Sequence, residues 1–191
     1  MITLYLARHG ETDGNVQQWY QGSTDVPINA HGLEQAKHLG EFFSHTHLDA
    51  VYSSTLQRAM ATAECVAAPH GLSVIPDESL KEADFGEWEG HTYEEITTKW
   101  PGELEAVYAS DGTLPARGGE SFCQVRDRIL KGTRDILSKH KDGDSIFIVS
   151  HGAALRCLLF GLLDSICVVF GASSSSIRPS MSSNITATAT S

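Results

Sequence analysis

Short apolar runs alternate along the chain with longer stretches in which apolar residues recur at helical spacing. The runs predict buried strands at 2–7, 50–53, 73–75 and 145–149. The longer stretches predict helices at 31–44, 56–66, 91–108, 121–140 and 153–163, the third of them broken by Pro101 and Gly102. Strands that alternate with helices predict an α/β fold, a three-layer sandwich with a mostly parallel central sheet flanked by helices.

Two stretches follow neither period. Residues 11–29 form a polar, glycine-containing loop after the first strand. Residues 80–90 are acidic and contain two large aromatic residues and two glycines, which is typical of a structured loop. The helix predicted at 56–66 should be capped by Ser54 or Thr55, because hydroxyl side chains accept hydrogen bonds from the first N–H groups of a helix.

Composition narrows the classes of function and location. The formal net charge of −10 argues against a general nucleic-acid binder, and an anionic ligand would need a locally positive pocket. No stretch approaches the roughly 20 consecutive apolar residues of a membrane span, and no secretory signal is evident. The four cysteines form no close pair, so no structural zinc site is indicated. We therefore expect a cytoplasmic protein without nucleic-acid or membrane partners.

Candidate chemistry lies where two predicted strands end in the same way, in Arg8-His9-Gly10 and in Ser150-His151-Gly152. Neighbouring parallel strands would bring both histidines to the sheet edge where ligands collect. Arg58 lies one turn into a helix and should point back to this edge, because helical side chains lean toward the helix N-terminus. Two histidines and two arginines favour a phosphate pocket over a metal site, since guanidinium groups repel a cation. Taken alone, the first motif could equally be a surface strand end.

Other signatures of phosphate and hydrolase chemistry are absent from the sequence. No lysine follows a glycine, which excludes the Gly-x-x-x-x-Gly-Lys loop of nucleotide hydrolases. No Gly-x-Ser-x-Gly motif occurs, and no cysteine is followed six residues later by arginine. The histidine pair is therefore the strongest remaining candidate for a catalytic centre.

Further motifs accompany the two strand ends in a fixed order: Glu11-Thr12 and Asn15, Gln21-Gly22, Ser53 to Ala59, Glu82, Phe85 to Gly90 and Gly118 to Ser121. Together they resemble the histidine phosphatase superfamily, in its phosphoglycerate mutase-like branch. The resemblance covers residues 2 to about 163. It implies the phosphoglycerate mutase-like fold and phosphate-ester chemistry that proceeds through a phosphorylated histidine.

The resemblance also implies roles for particular residues. His9 is expected to be the nucleophile, and Arg8, Arg58 and His151 are expected to bind the phosphate. Glu82 matches the general acid, while the spacing alone leaves other acidic residues of the same loop open, namely Asp84, Glu87 and Glu89. The remaining expected substrate contacts are Asn15, Gln21, Gly22 and Gly152. Neither a cofactor nor a metal is expected.

The substrate is less well specified than the reaction. The Phe85–Gly90 and Gly118–Ser121 runs are similar to those of alpha-ribazole phosphatases of cobalamin synthesis, and broad-specificity phosphatases share them. Mutases of the family carry a longer insertion, so the compact segment 91–117 favours a phosphatase. Three functions stay open: a phosphatase of alpha-ribazole 5'-phosphate or other small esters, a cofactor-dependent phosphoglycerate mutase, and a non-catalytic phospholigand-binding protein. A homodimer also stays open.

The end of the chain departs from the family pattern. Serine and threonine dominate after Phe170, so we divide the chain into a domain at 1–165, with a small cap at about 82–118, and an atypical tail at 166–191. One interpretation of the tail is a disordered terminus. Another is a shift of reading frame near Asp164, because the codons for 166–173 and 177–185 permit a shifted reading closer to a family ending.

Overall fold

The central sheet confirms the predicted α/β architecture. The computed structural model describes residues 1–163 and the backbone of one further strand at 187–189. The strands are β1 (Thr3–Arg8), β2 (Ala50–Ser53), β3 (Val74–Pro76), β4 (Ser145–Ser150) and β5 (Ala187–Ala189). Their order is β3-β2-β4-β1-β5, in which the first four are parallel and β5 pairs antiparallel with β1 at one edge. The rest of the tail, with the predicted frame shift, lies outside the described residues.

Helices cover both faces of this sheet and complete the three layers. They are α1 (Asp13–Val16), α2 (Ala30–Phe43), α3 (Gln57–Ala67), α4 (Tyr93–Lys99), α5 (Glu103–Ala109), α6 (Phe122–Leu137) and α7 (Gly152–Leu162). Alternate residues of β4 face opposite sides: Ile146 and Ile148 join the core under α6 and α7, whereas Phe147 and Val149 join the core under α2 and α3. This alternation follows from the two-residue period of a strand. None of the described helices has the length and apolar character needed to cross a membrane.

The predicted cap of α3 is wrong. The N-cap position is Leu56, whose side chain makes no hydrogen bond, and the first N–H of the helix, at Gln57, donates instead to the distant Asp25 carboxylate at 2.8 Å. The two hydroxyls that were expected to cap the helix are engaged elsewhere: Ser54 Oγ lies 2.8 Å from His151 Nε2, and Thr55 Oγ1 donates to Glu78 at 2.9 Å. Contacts with residues distant in sequence therefore engage the hydroxyl groups that the helix-capping preference had assigned to the N-terminus of α3.

The loop predicted at 11–29 contains a helix that the hydrophobic pattern did not reveal. The one-turn helix α1 begins after Thr12, whose hydroxyl accepts from the N–H of Asn15, while the Asn15 side chain accepts from the N–H of Thr12. This reciprocal arrangement is a capping box, which satisfies two free N–H groups at once. The box fixes Asn15 directly behind the end of β1.

The acidic loop at 80–90 is structured, as predicted. Short 3-10 turns at Glu78–Leu80 and Gly86–Trp88 flank its centre, and the Trp88 side chain is buried in the core beside α6 and α7. The loop lies at the edge of the sheet because Ser150, at the end of β4, donates to the Leu80 carbonyl at 2.7 Å. Glu82 is thereby held at the same edge as the ends of β1 and β4.

Candidate active site

Two histidines meet at the carboxyl edge of the sheet. Strands β1 and β4 end side by side, with Arg8 opposite Ser150, and the next residue in each segment is a histidine. The ring centroids of His9 and His151 lie 5.1 Å apart, and the two residues are 7% and 0% exposed. The structure thus places the two sequence-predicted histidines around one point.

Hydrogen bonding selects the reactive nitrogen of His9. Its Nδ1 lies 2.7 Å from the carbonyl oxygen of Gly10, which can only accept, so Nδ1 carries the proton and Nε2 keeps its lone pair. Burial lowers the pKa of His9 well below the usual value, and the cations of Arg8 and Arg58 lower it further. The imidazole is therefore neutral and has a free nitrogen at neutral pH.

His151 has one nitrogen engaged and one without a partner. Its Nε2 lies 2.8 Å from Ser54 Oγ, whereas its Nδ1 is buried and has no hydrogen-bond partner within residues 1–163. Burial lowers the pKa of His151 well below the usual value, and His9 and Arg58 act in the same direction. Ser54 was not among the predicted site residues, although its position beside the end of β2, within the family motif, was a usable signal.

Arg58 extends from α3 toward the same edge and is almost completely buried. It donates to the carbonyl oxygens of Gly22 and Thr24 at 2.7 and 2.8 Å, and its Nε has no partner among the residues that the structure describes. Burial lowers the pKa of this guanidinium, while the carboxylates around it, Glu82 foremost, oppose that change. Gly22 has φ 52°, and a side chain there would collide with Glu89, so the turn that presents its carbonyl requires glycine.

The side chain of Arg8, at the last position of β1, makes no hydrogen bond to any residue of the described chain. Burial lowers the pKa of its guanidinium, and the Glu82 carboxylate acts in the opposite direction. A desolvated cation without a hydrogen-bonded partner is costly, and proteins keep such groups chiefly where a ligand supplies the missing partner. Its planar donors suit the oxygens of a phosphate or carboxylate.

Asn15 and Gln21 line the loop beside these groups. Asn15 uses its Oδ1 within the capping box, and its Nδ2 donor is buried without a partner. Gln21 is also buried, with its Oε1 2.7 Å from Thr12 Oγ1. The two side chains are thus fixed by the loop itself, and Asn15 keeps one donor unused.

Buried polar atoms without a partner concentrate at this edge of the sheet. Among the described residues, six buried side-chain polar atoms have no partner, and three of them belong to the cluster: Asn15 Nδ2, Arg58 Nε and His151 Nδ1. A buried polar atom without a partner costs about 1–3 kcal/mol, and two of these three atoms, Asn15 Nδ2 and Arg58 Nε, are donors, which indicates an anionic ligand that accepts from them. No group of three or more His, Cys, Asp or Glu within the described residues could hold a metal ion.

Glu82 reaches this cluster from the acidic loop and contacts the start of α7. Its Oε1 accepts from the N–H groups of Ala83 and Ala154 at 3.0 and 2.9 Å, and its Oε2 accepts from Ala153 at 3.1 Å. A carboxylate offers about four lone-pair positions, two on each oxygen. Three are occupied, so the remaining position lies on Oε2, where a transferable proton would sit.

Gly152 separates this carboxylate from the arginine. A Cβ at position 152 would lie 3.8 Å from Glu82 Oε2 and 3.7 Å from Arg8 Cζ, which is ordinary contact distance. Glycine therefore leaves open the space between the candidate acid and the candidate phosphate ligand. Its backbone conformation is one that alanine also adopts, because its φ is not positive.

The other acidic residues of the loop serve different contacts. Glu89 accepts hydrogen bonds from the backbone N–H groups of Ser23, Thr24 and Phe85. Asp84 accepts from the N–H of Gly86 at 2.8 Å, and Glu87 is exposed. Of the four acidic residues that the spacing left open, Glu82 is the one hydrogen-bonded to the helix that follows His151.

Comparison with known proteins agrees with this geometry. Residues 4–166 match the model of the histidine phosphatase superfamily, branch 1. Phosphoserine phosphatase 1 of Hydrogenobacter thermophilus is 34% identical over 85% of this chain and 77% of its own length. The Salmonella choleraesuis protein named probable phosphoglycerate mutase GpmB is also 34% identical, over 85% of this chain and 75% of its own.

A solved structure extends the comparison to the fold. The Escherichia coli protein described as an alpha-ribazole-5'-P phosphatase superposes with a TM-score of 0.80 at 28% identity, over 88% of this chain and 83% of its own. The family match spans most of the chain and includes every residue of the cluster at the sheet edge. The chain therefore belongs to the histidine phosphatase superfamily, branch 1.

Proposed function

We propose that this protein hydrolyses small phosphate monoesters through a phosphohistidine formed on His9. Relatives named as phosphatases support a phosphoric monoester hydrolase, and the proposal adds the route and the substrate. The observation that carries it is the neutral His9, with Nδ1 bonded to a carbonyl and Nε2 free, among unused donors of Arg8, Arg58 and Asn15 and beside the unpartnered Nδ1 of His151. A free imidazole nitrogen among anion-binding donors is suited to attack on phosphorus.

The first step transfers the phosphoryl group to the protein. A bond forms between His9 Nε2 and phosphorus as the bond from phosphorus to the leaving oxygen breaks, and Glu82 gives its proton to that oxygen. In the second step water attacks phosphorus, the nitrogen–phosphorus bond breaks, and Glu82 takes a proton from the water. Phosphate and an alcohol are the products, and His9 and Glu82 return to their starting states.

The substrate class is a small phosphate monoester, with alpha-ribazole 5'-phosphate as the first candidate. The Phe85–Gly90 and Gly118–Ser121 motifs and the similarity to the Escherichia coli protein support that candidate. Similarity to phosphoserine phosphatase 1 supports a broader range of esters. A role in cobalamin synthesis, a cytoplasmic location and a homodimer remain predictions from the sequence.

Phosphate release from a panel of esters tests the proposal. The panel contains alpha-ribazole 5'-phosphate, phosphoserine, 3-phosphoglycerate and p-nitrophenyl phosphate, and each is paired with acid-quench trapping of labelled phosphate on the protein. We expect release from at least one ester and a labelled protein that His9→Ala does not form.

Two results would favour the other functions. The similarity to GpmB keeps a mutase in view, and a mutase would transfer phosphate to 3-phosphoglycerate in the presence of bisphosphoglycerate without net release. A non-catalytic phospholigand-binding protein would bind vanadate or phosphate tightly but release nothing from any ester and trap no label.

A further inference from the structure

A second arginine, Arg128, contacts the backbone around Glu82. Arg128 of α6 uses all five of its N–H donors: two bond the Glu120 carboxylate at 3.0 and 2.7 Å, and three bond the carbonyl oxygens of Ser79, Lys81 and Glu82 at 2.9, 3.0 and 3.2 Å. The side chains of Arg128 and Glu120 are 25% and 26% exposed. One guanidinium therefore holds the backbone on the N-terminal side of the acid and the carbonyl of the acid itself.

Glu120 continues this contact to the residues that follow the acid. Its Oε2 accepts from the N–H of Asp84 at 3.0 Å, and its own N–H donates to the Asp84 carbonyl at 2.8 Å. The two segments touch along their backbones: a side chain at Gly119 would collide with the Asp84 carbonyl, and one at Gly86 would collide with the Arg117 carbonyl. The loop is thus fixed on both sides of Glu82 by the Arg128–Glu120 pair.

We propose that Arg128, together with Glu120, is a positioning residue for the general acid of this enzyme. The pair anchors the backbone of Glu82, while the N–H groups of Ala153 and Ala154 orient its carboxyl group, so the acidic proton on Oε2 is directed toward the leaving oxygen. This inference rests on the proposed function. It assigns Arg128 a part in protonating the leaving group and none in binding the phosphate.

Two substrates of similar shape distinguish protonation of the leaving group from binding of the phosphate. Phenyl phosphate releases a basic phenolate that needs a proton, whereas p-nitrophenyl phosphate releases a stable anion that leaves without one. The measured quantity is kcat/KM, because it reports the steps up to formation of the phosphohistidine. Both substrates are assayed on the same preparation, so the ratio of the two values does not depend on the fraction of folded protein.

The test variant is Arg128→Lys, which keeps the charge but cannot bridge Glu120 and three carbonyls at once. We expect kcat/KM for phenyl phosphate to fall roughly 100-fold, the order of loss that a misplacement of about 1 Å can cause, with little change for p-nitrophenyl phosphate. Glu120→Gln should move the ratio in the same direction by a smaller factor. Arg134→Lys, an exposed arginine on the same helix, is the matched control and should leave the ratio unchanged.

Four outcomes are decisive. Equal losses on both substrates, or no loss on either, would overturn the positioning role. If Arg128 acts through the acid, Arg128→Lys should have no further effect on phenyl phosphate in a Glu82→Gln background, and an additive loss would also overturn it. A wild-type protein that releases phosphate from neither ester and traps no label would instead refute the proposed function.

Discussion

The arginines on the two sides of Glu82 differ in how their donors are used. Arg128 spends all five N–H groups on a carboxylate and three carbonyls of its own chain. Arg8 donates to no described residue, and Arg58 keeps its buried Nε free. An arginine side chain therefore stabilises the loop on the Arg128 side of Glu82, whereas on the Arg8 and Arg58 side it keeps donors available for a ligand. The residue type is the same, so the contacts distinguish the two roles.

This difference has an energetic consequence. A partly buried ion pair with all its hydrogen bonds made, such as Arg128–Glu120, is destabilising to break, because the remaining partner is left as an uncompensated charge. A partly buried cation without a hydrogen-bonded partner, such as Arg8, already costs stability in the free protein, and its removal relieves that cost. Substitutions of Arg8 or His9 should thus lower kcat/KM with little loss of stability. Complete loss of the Arg128 guanidinium should chiefly lower the free energy of unfolding.

His9→Ala should produce the largest change on the open side. Removal of the nucleophile is expected to lower kcat/KM by about 10⁴-fold or more, with little change in the thermal unfolding midpoint. The measurements are phosphate release and thermal unfolding. The exposed His38, replaced in the same way, is the control. If the variant kept a tenth of the activity, His9 would not be the nucleophile, and the open side would not be the phosphate-binding side.

Arg8→Met should lower activity without lowering stability. We expect kcat/KM to fall by roughly 10²–10³-fold on phenyl and p-nitrophenyl phosphate alike, because a ligand of the phosphoryl oxygens serves both esters equally. The free energy of unfolding should stay unchanged or rise, since a desolvated cation without a hydrogen-bonded partner is removed. Urea denaturation supplies that value, and a clear loss of stability would show that Arg8 has a structural partner.

Arg128→Met, in contrast to Arg8→Met, should lower the stability of the fold. Glu120 and three carbonyl oxygens would lose their donor, so we expect the free energy of unfolding to fall by about 3 kcal/mol. Burial would raise the pKa of Glu120, yet the bonds from Arg128 and the Asp84 N–H hold it below its usual value. Urea denaturation at neutral pH, beside Arg134→Met as control, gives the difference. Equal stability of the two variants would contradict a structural role for the pair.

Gly152→Ala probes the space between the two sides. The added methyl group would lie at contact distance from Glu82 Oε2 and Arg8 Cζ without backbone strain. We expect an intact fold and a loss of about 10-fold in kcat/KM, since the methyl group occupies part of the reacting volume. Steady-state kinetics and the unfolding midpoint measure both effects. Full activity in this variant would place the leaving group elsewhere.

The pH dependence of stability gives the smallest expected effect. His9 and His151 have folded-state pKa values well below the usual value, chiefly through burial, so the unfolded chain binds more protons just below pH 6.5. The free energy of unfolding should therefore fall as the pH drops from about 6.5 to 5.5, by up to about 1.4 kcal/mol per pH unit for each histidine. His9→Gln should remove about half of this slope in urea titrations, and His38→Gln should remove none.

Much of the fold could be predicted because each core strand and helix carries its own period. The alternation of Ile146, Phe147, Ile148 and Val149 places two faces in two cores, and β2 was predicted at its observed bounds. The one-turn helix α1 was missed because four residues are too few to show a helical period. The cap of α3 was predicted wrongly because Ser54 contacts His151, 97 residues away.

The members of the candidate site were also accessible from the sequence, through motif order together with two His-Gly strand ends. The partners of those members were not. Glu82 contacts backbone N–H groups of α7, and Arg128 contacts carbonyl oxygens 46 to 49 residues away. Backbone atoms are the same in every residue, so no pattern of side chains along the chain encodes which of them will be bonded.

The sequence by itself determined the alternation of strands and helices, the family, and the residues available for phosphate chemistry, because periodicity and motif spacing are local properties of the chain. Only the tertiary structure decided which nitrogen of His9 is free, which acidic residue of the loop reaches α7, and which arginine has donors to spare. Those properties depend on hydrogen bonds between distant segments. Because the groups are shielded from water, each bond that is made or missing changes the protonation state, the orientation or the free energy of the group.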